Sequence, residues 1–172
     1  VLIVDPEHED SKLVKALGGE VINISATSDN HINAMDMNSD YGDGANPVIL
    51  KSEFILSLCE QLIGSNNLGA KQTNVNTDSR LICYDILDLG KQLQPIGMLV
   101  VLDSILNRIT ANRAKGRNTY IFIDEIYLLF QYEYSANFLF TLWKRVRKYG
   151  AYATGITQNV DDLLQSHTAR TM

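Results

Sequence analysis

The stretch Thr119-Tyr-Ile-Phe-Ile-Asp-Glu-Ile-Tyr-Leu-Leu-Phe130 decides the fold. Its first five residues are β-branched or aromatic without polar alternation, which is the pattern of a central strand buried on both faces. Two adjacent carboxylates, Asp124 and Glu125, end the run. Carboxylates at the end of a buried strand cost free energy unless they face a cation or water. The pair therefore predicts a site at this point, and the alternative is a strand that ends in two solvated acids.

An Asp-Glu pair in this place is typical of the Walker B motif of nucleotide hydrolases. There the Asp helps to hold Mg²⁺, and the Glu is placed to accept a proton from the attacking water. Neighbouring residues on a regular strand point to opposite faces of the sheet. Asp124 and Glu125 can therefore serve one phosphate only if the chain is already leaving the strand at Asp124.

Length and composition bound the class of protein. The chain has 172 residues, is 45% hydrophobic and 20% charged, and carries a net charge of -5, as expected for one soluble globular domain. The negative net charge argues against a basic nucleic-acid-binding surface over the whole chain, but it does not exclude a local basic patch. No apolar run approaches the roughly 20 residues of a membrane span. Cys59 and Cys83 lack a C-x-x-C spacing and are interpreted as reduced core thiols.

Predicted strands and helices alternate along the chain. Strands are expected at residues 1–4, 20–24, 81–86, 119–123 and 151–157. Helices are expected at 12–17 with Ser11 as N-cap, about 47–64, 95–113, 134–149 and 160–165. This alternation predicts right-handed crossovers and a mainly parallel α/β sheet flanked by helices.

Ligands of such sheets bind at the carboxyl ends of the strands. Asp5, Asp124 and Gln158 each follow a predicted strand, so we expect them at one edge. Asp5 and Glu7 are candidates to support a metal ion or its waters, although the chemistry of the Asp5-Pro6 turn explains them equally well.

The usual phosphate cradle is missing from this sequence. No G-x-x-x-x-G-K-[ST] motif is present, and the only Gly-Lys pair, Gly90-Lys91, is followed by Gln92. The chain therefore holds half of a nucleotide site.

Five segments, in order, carry a family resemblance. They are Asp5-Pro-Glu-His-Glu9 with Leu17-Gly-Gly-Glu-Val21, then Cys83-Tyr-Asp-Ile-Leu-Asp-Leu-Gly-Lys-Gln-Leu93, Ile123-Asp-Glu125, Trp143-Lys-Arg-Val-Arg-Lys-Tyr-Gly150, and Gly155-Ile-Thr-Gln-Asn159. Together they resemble the carboxyl-terminal domain of the large conjugation ATPases of bacterial type IV secretion systems, which belong to the RecA-like HerA/FtsK group. The resemblance implies that residues 1–172 form a single RecA-like P-loop NTPase domain fragment. It also implies a P-loop before Val1 and a missing helical insertion near residues 64–73.

The resemblance implies roles for individual residues, with ATP and Mg²⁺ as cofactors. Asp124 resembles the Mg²⁺-holding acid and Glu125 the acid that activates water. Gln158 resembles the residue that senses the γ-phosphate; the alternative is an amide that satisfies loop backbone. Arg145 and Arg147 either complement the dipole of a helix end or include an arginine finger for a neighbouring subunit.

The expected function is an ATPase motor that energises a conjugative secretion or DNA transfer apparatus. The alternatives are a non-catalytic docking module of that apparatus and a DNA-pumping translocase, and the sequence offers no clear basic pore loop for the latter. The resemblance further implies a homo-oligomer such as a hexamer, contact with other subunits of the apparatus, and a place at the cytoplasmic face of the inner membrane. Direct contact with nucleic acid stays open.

Overall fold

The computed structural model describes residues 1–25, 27–32, 73–164 and 167–171. Three expectations lie outside these residues: the helix at about 47–64, the missing insertion near 64–73, and the environment of Cys59.

The strands form one parallel sheet. They are β1 (Leu2–Asp5), β2 (Glu20–Asn23), β3 (Ile82–Asp85), β4 (Thr119–Ile123) and β5 (Ala151–Gly155). Their order is β2-β3-β1-β4-β5, with β1 at the centre and every pair parallel. The predicted parallel α/β sheet is confirmed, and the carboxyl ends of the five described strands meet at one edge.

The described helices connect these strands. They are α1 (Ser11–Ala16), α2 (Gly90–Ala114), α3 (Tyr127–Phe130), α4 (Glu133–Val146), α5 (Val160–Leu164) and α6 (His167–Thr171), with 3₁₀ turns at Leu87–Leu89 and Arg147–Tyr149. The short α3 was not predicted, and α2 begins five residues before Pro95 because the first 3₁₀ turn leads directly into it. None of the described helices combines the length and apolar character needed to cross a membrane.

The hydrophobic core lies on the face of the sheet beneath α2 and α4. Val4, Ile82 and Ile121 point to this face and pack in one buried cluster with Ile105 of α2 and Leu139 of α4. These residues are β-branched on the strands and aliphatic on the helices, as a packed helix-on-sheet layer requires. The core therefore fixes the strands whose carboxyl ends carry the candidate site.

The expectation that β4 is buried on both faces is wrong. Tyr120 of β4 is 47% exposed, and its ring stacks on that of Tyr152 of β5, with 5.1 Å between centroids. The register places both tyrosines on the same face as Cys83, and among the described residues α1 packs mainly beside β2 and β3. A stacked aromatic pair suits an open sheet face, because the rings shield each other while the hydroxyls stay in water.

Candidate functional site

The chain leaves β4 at Asp124, as the Walker B interpretation requires. The strand ends at Ile123, and the Asp124 N–H still donates to the carbonyl of Val4 on β1 at 3.1 Å. Glu125 then adopts a left-handed backbone with φ 44°, and its N–H donates to Oδ1 of Asp124 at 2.9 Å. This sharp turn frees the two acids from the alternation of a strand.

The chain at the end of β5 is hydrogen-bonded to the turn that follows β4. The Ile126 N–H donates to the Ile156 carbonyl at 3.0 Å, and the Ile156 N–H donates to the Ile123 carbonyl at 2.8 Å. Gly155 lies so close that a Cβ there would come within 2.5 Å of Cδ1 of Ile126. These contacts hold the loop after β5 against the turn after β4, and this brings Gln158 to Glu125.

Glu125 and Gln158 form the centre of the candidate site. Nε2 of Gln158 donates to Oε1 of Glu125 at 2.6 Å. The Glu125 residue is only 3% exposed, and among the described residues its Oε2 has no hydrogen-bond partner despite being buried. A buried carboxylate oxygen without a partner is rare and indicates a missing ligand, ion or water.

The surroundings of Glu125 favour its protonated form. Burial is the main cause that raises the pKa of Glu125, and the charges of Asp124, Glu7 and Glu9 add to it, whereas the hydrogen bond from Gln158 opposes it. A carboxylate with a raised pKa holds an abstracted proton better than an exposed one does.

The contacts of Asp5 are those expected if it stabilises the turn that follows β1. It is fully buried, its Oδ1 accepts the Glu9 N–H, and its Oδ2 accepts the Asp10 N–H, both at 3.0 Å. Ser11 is the first residue of α1 and its hydroxyl donates to Asp5 at 3.4 Å, so its predicted N-cap role is wrong. Glu7 is exposed in the same loop. The metal roles of Asp5 and Glu7 stay predictions.

A contact between His8 and Asp85 was missed by sequence reasoning. Nδ1 of His8 bonds to Oδ2 of Asp85, the last residue of β3. Asp85 is 1% exposed, and His8 has a left-handed backbone with φ 61°. The available signal was that Asp85 ends a strand in the same way as Asp5 and Asp124.

The residues present fit Mg²⁺ bound together with a nucleotide. In the described ranges, no group of three or more His, Cys, Asp or Glu side chains is arranged to hold a metal ion. Mg²⁺ at phosphate sites needs only one or two carboxylates, because phosphates and waters complete its shell. The half-exposed Asp124 meets that requirement as one carboxylate.

Arg145 and Arg147 lie far from this site in the same chain. Arg145 is in the last turn of α4 and Arg147 begins the 3₁₀ turn before β5, so both lie at the amino edge of the sheet. A strand of five residues separates that edge from Gln158, about 17 Å at the usual rise. Exposed basic side chains gather at this amino edge: Arg80, Lys115, Arg117, Arg147 and Lys148.

Comparisons with known proteins identify a family and a similar fold. The family described as the TraG P-loop domain matches residues 67–171, more than half of the chain. The solved structure of VirB4 of Thermoanaerobacter pseudethanolicus is similar, with a TM-score of 0.75 and 20% sequence identity. The match covers 95% of this chain and 63% of that one, and at this identity it shows the fold alone. No curated protein matches the sequence.

Proposed function

Because the chain belongs to the TraG P-loop domain family, we propose that it carries the Walker B half of an ATPase motor that energises a conjugative type IV secretion apparatus. The observation that carries this proposal is the buried Glu125, whose Oε1 accepts from Gln158 while its Oε2 has no described partner. The chain spans 63% of the VirB4 chain that it resembles. The phosphate cradle absent from residues 1–172 is proposed to lie in sequence outside them.

The proposed roles follow from what the side chains contact. Oε2 of Glu125 is the free acceptor for a proton of the attacking water, and its raised pKa suits a base that must keep that proton. Gln158 orients Glu125 and lies exposed, so its amide can also meet a phosphate oxygen. Asp124 would hold Mg²⁺, which supplies charge neutralisation of the phosphates when bound.

The first test replaces Glu125 by Gln in the protein that includes the P-loop. Size and hydrogen bonding are kept while the base is removed, so Mg-ATP should still bind and turnover should fall by ~10²–10⁴-fold. Asp124→Ala should instead weaken Mg-ATP binding. The exposed Asp161 provides a matched control, and Asp161→Asn should turn over like the wild type. Wild-type turnover by the Glu125→Gln protein would refute the assignment.

The partners and the location are proposed from the resemblance. We propose a homo-oligomeric ring such as a hexamer, docked on other subunits of the apparatus at the cytoplasmic face of the inner membrane. The exposed position of Arg147 supports a role toward a neighbouring subunit, since within its own chain it lies at the edge opposite Glu125.

A further inference from the structure

The loop between β1 and α1, residues 6–10, is hydrogen-bonded to two buried carboxylates that lie at the ends of strands. Asp5 ends β1 and accepts the N–H groups of Glu9 and Asp10. Asp85 ends β3, is aligned with Asp5 in the parallel register, and bonds to the ring of His8. The backbone of the loop is therefore hydrogen-bonded to β1, and the His8 side chain is hydrogen-bonded to the neighbouring strand β3.

His8 makes its bond from an unfavourable backbone conformation. Its φ of 61° is left-handed, which side chains with a Cβ rarely adopt. The ring is 44% exposed on its outer side, whereas the Asp85 side chain is 1% exposed. Apart from His8, Asp85 accepts the N–H of Leu87 at 3.2 Å. The His8 ring thus supplies a partner that a buried carboxylate needs.

The loop carries acidic residues toward the candidate site. Glu7 and Glu9 flank His8 in the loop after β1, which begins next to the turn after β4 because the Asp124 N–H donates to the Val4 carbonyl at 3.1 Å. Burial is the main cause that raises the pKa of Glu125, and the charges of Glu7 and Glu9 add to it. Burial is the main cause that raises the pKa of Asp10, and the charges of Asp5 and Asp124 add to it. A change in the position of this loop would change the negative field at Asp124 and Glu125, and with it the attraction for a cation there.

We propose that His8 and Asp85 are positioning residues of the ATPase site. Their bond fixes the loop of residues 6–10 so that Glu7 and Glu9 stay beside Asp124 and Glu125, and this sets the Mg²⁺ concentration that the enzyme requires. The proposal rests on the proposed ATPase function. Neither residue touches the reacting atoms in this role.

Two variants of His8 separate its side chain from its backbone. His8→Gly keeps the left-handed backbone without strain but removes the bond to Asp85. His8→Asn also tolerates this backbone and keeps an N–H donor for Asp85. Steady-state ATPase activity of the P-loop-bearing protein is measured over a range of Mg²⁺ concentrations. His8→Gly should raise the half-maximal Mg²⁺ concentration roughly tenfold, since a hydrogen bond to a charged group is lost, with a smaller effect at saturating Mg²⁺.

Rescue by the asparagine is part of the expected result. His8→Asn should stay within about threefold of the wild type in its Mg²⁺ requirement, because the donor to Asp85 is kept. If His8→Asn behaved like His8→Gly, or if His8→Gly kept the wild-type Mg²⁺ requirement, the positioning role would be overturned.

Amide hydrogen exchange tests the loop without relying on ATP hydrolysis. The Glu9 and Asp10 amides donate to Asp5, so they should exchange faster in His8→Gly and at the wild-type rate in His8→Asn. Unchanged exchange in His8→Gly would overturn the proposal even if the enzyme hydrolyses ATP. If amide exchange responds as expected but the wild type hydrolyses no ATP, the proposed ATPase function is refuted, and the positioning role is refuted with it. The result would then support only the anchoring of the loop by His8 and Asp85.

Discussion

At the scale of single residues, Glu125 combines features that destabilise a fold. Its backbone is left-handed, its side chain is buried, and among the described residues one of its oxygens has no partner. Each feature costs free energy of order 1–3 kcal/mol. Such costs persist where function needs them, because strain and buried charge cluster at active sites.

Because Glu125 is buried, we predict that Glu125→Gln raises the free energy of unfolding by an amount that depends on pH. The pKa of Glu125 is higher in the folded than in the unfolded chain, so between the two values the folded state binds more protons. The stability contributed by this group is therefore greatest below the unfolded pKa and falls as pH rises through the folded pKa. At pH 7–8 the substitution should raise the free energy of unfolding by on the order of 1 kcal/mol, and the gain should vanish near pH 4.

Denaturant unfolding between pH 4 and 8 measures this difference. Asp161→Asn removes an exposed charge three residues after Gln158, and its effect on the free energy of unfolding should depend little on pH. If Glu125→Gln raised the free energy of unfolding by the same amount at every pH, the ionised carboxylate would not be the source of the destabilisation.

At the scale of elements, the contact between Gly155 and Ile126 couples β5 to the turn that carries Glu125. In Gly155→Ala the new Cβ would meet Cδ1 of Ile126 at 2.5 Å, so the Ile126 side chain or the turn that carries it must shift. We expect a loss of about 1–3 kcal/mol in the free energy of unfolding. We also expect turnover to fall by roughly tenfold or more with Mg-ATP binding retained, since small displacements at reacting groups are costly.

Removing the colliding methyl group tests this explanation. Ile126→Val deletes Cδ1 and should cost about 0.5–1.5 kcal/mol alone, yet it should restore turnover when combined with Gly155→Ala. If the double variant lost the sum of both effects instead, the contact would not be the cause.

The same scale shows what sequence patterns could predict. Period and β-branched composition located the five strands of the described sheet, and alternation with helices predicted that they are parallel, because both follow from local chemistry and chain connectivity. The open face of β4 was missed, since an exposed tyrosine and a buried one have the same β propensity. The bond between His8 and Asp85 was also missed, because it joins residues that are distant along the chain.

At the scale of the whole molecule, the acidic residues of the candidate site lie at the carboxyl edge of the sheet, and the exposed basic residues Arg80, Lys115, Arg117, Arg147 and Lys148 lie at the amino edge. This separation allows a head-to-tail arrangement in which one subunit's amino edge meets its neighbour's site. A finger in that position stabilises charge in the transition state and does little for the bound nucleotide. Arg147→Ala should therefore lower kcat by ~10³-fold or more, leaving ATP affinity nearly unchanged.

Mixed assemblies decide whether Arg147 acts between subunits. Subunits with Arg147→Ala and subunits with Glu125→Gln should each be inactive alone and regain part of the activity together, since some interfaces then pair an intact Glu125 with an intact Arg147. Arg145→Ala, tested in parallel, distinguishes the two arginines. If mixing is verified and no activity returns, a finger at Arg147 is refuted; intact turnover in Arg147→Ala would leave only its role at a helix end.

The central place of β1 has a consequence for how the protein is made. β1 leaves the ribosome before its partners, yet Leu2 aligns with Ile82 on one side and with Ile121, 119 residues later (121 − 2), on the other. At about 5–20 residues per second, β1 waits roughly 6–24 s before β4 is synthesised. During that interval an apolar strand without its neighbours is a target for chaperones and for aggregation, so the yield of folded protein should depend on holdase activity while translation is still under way.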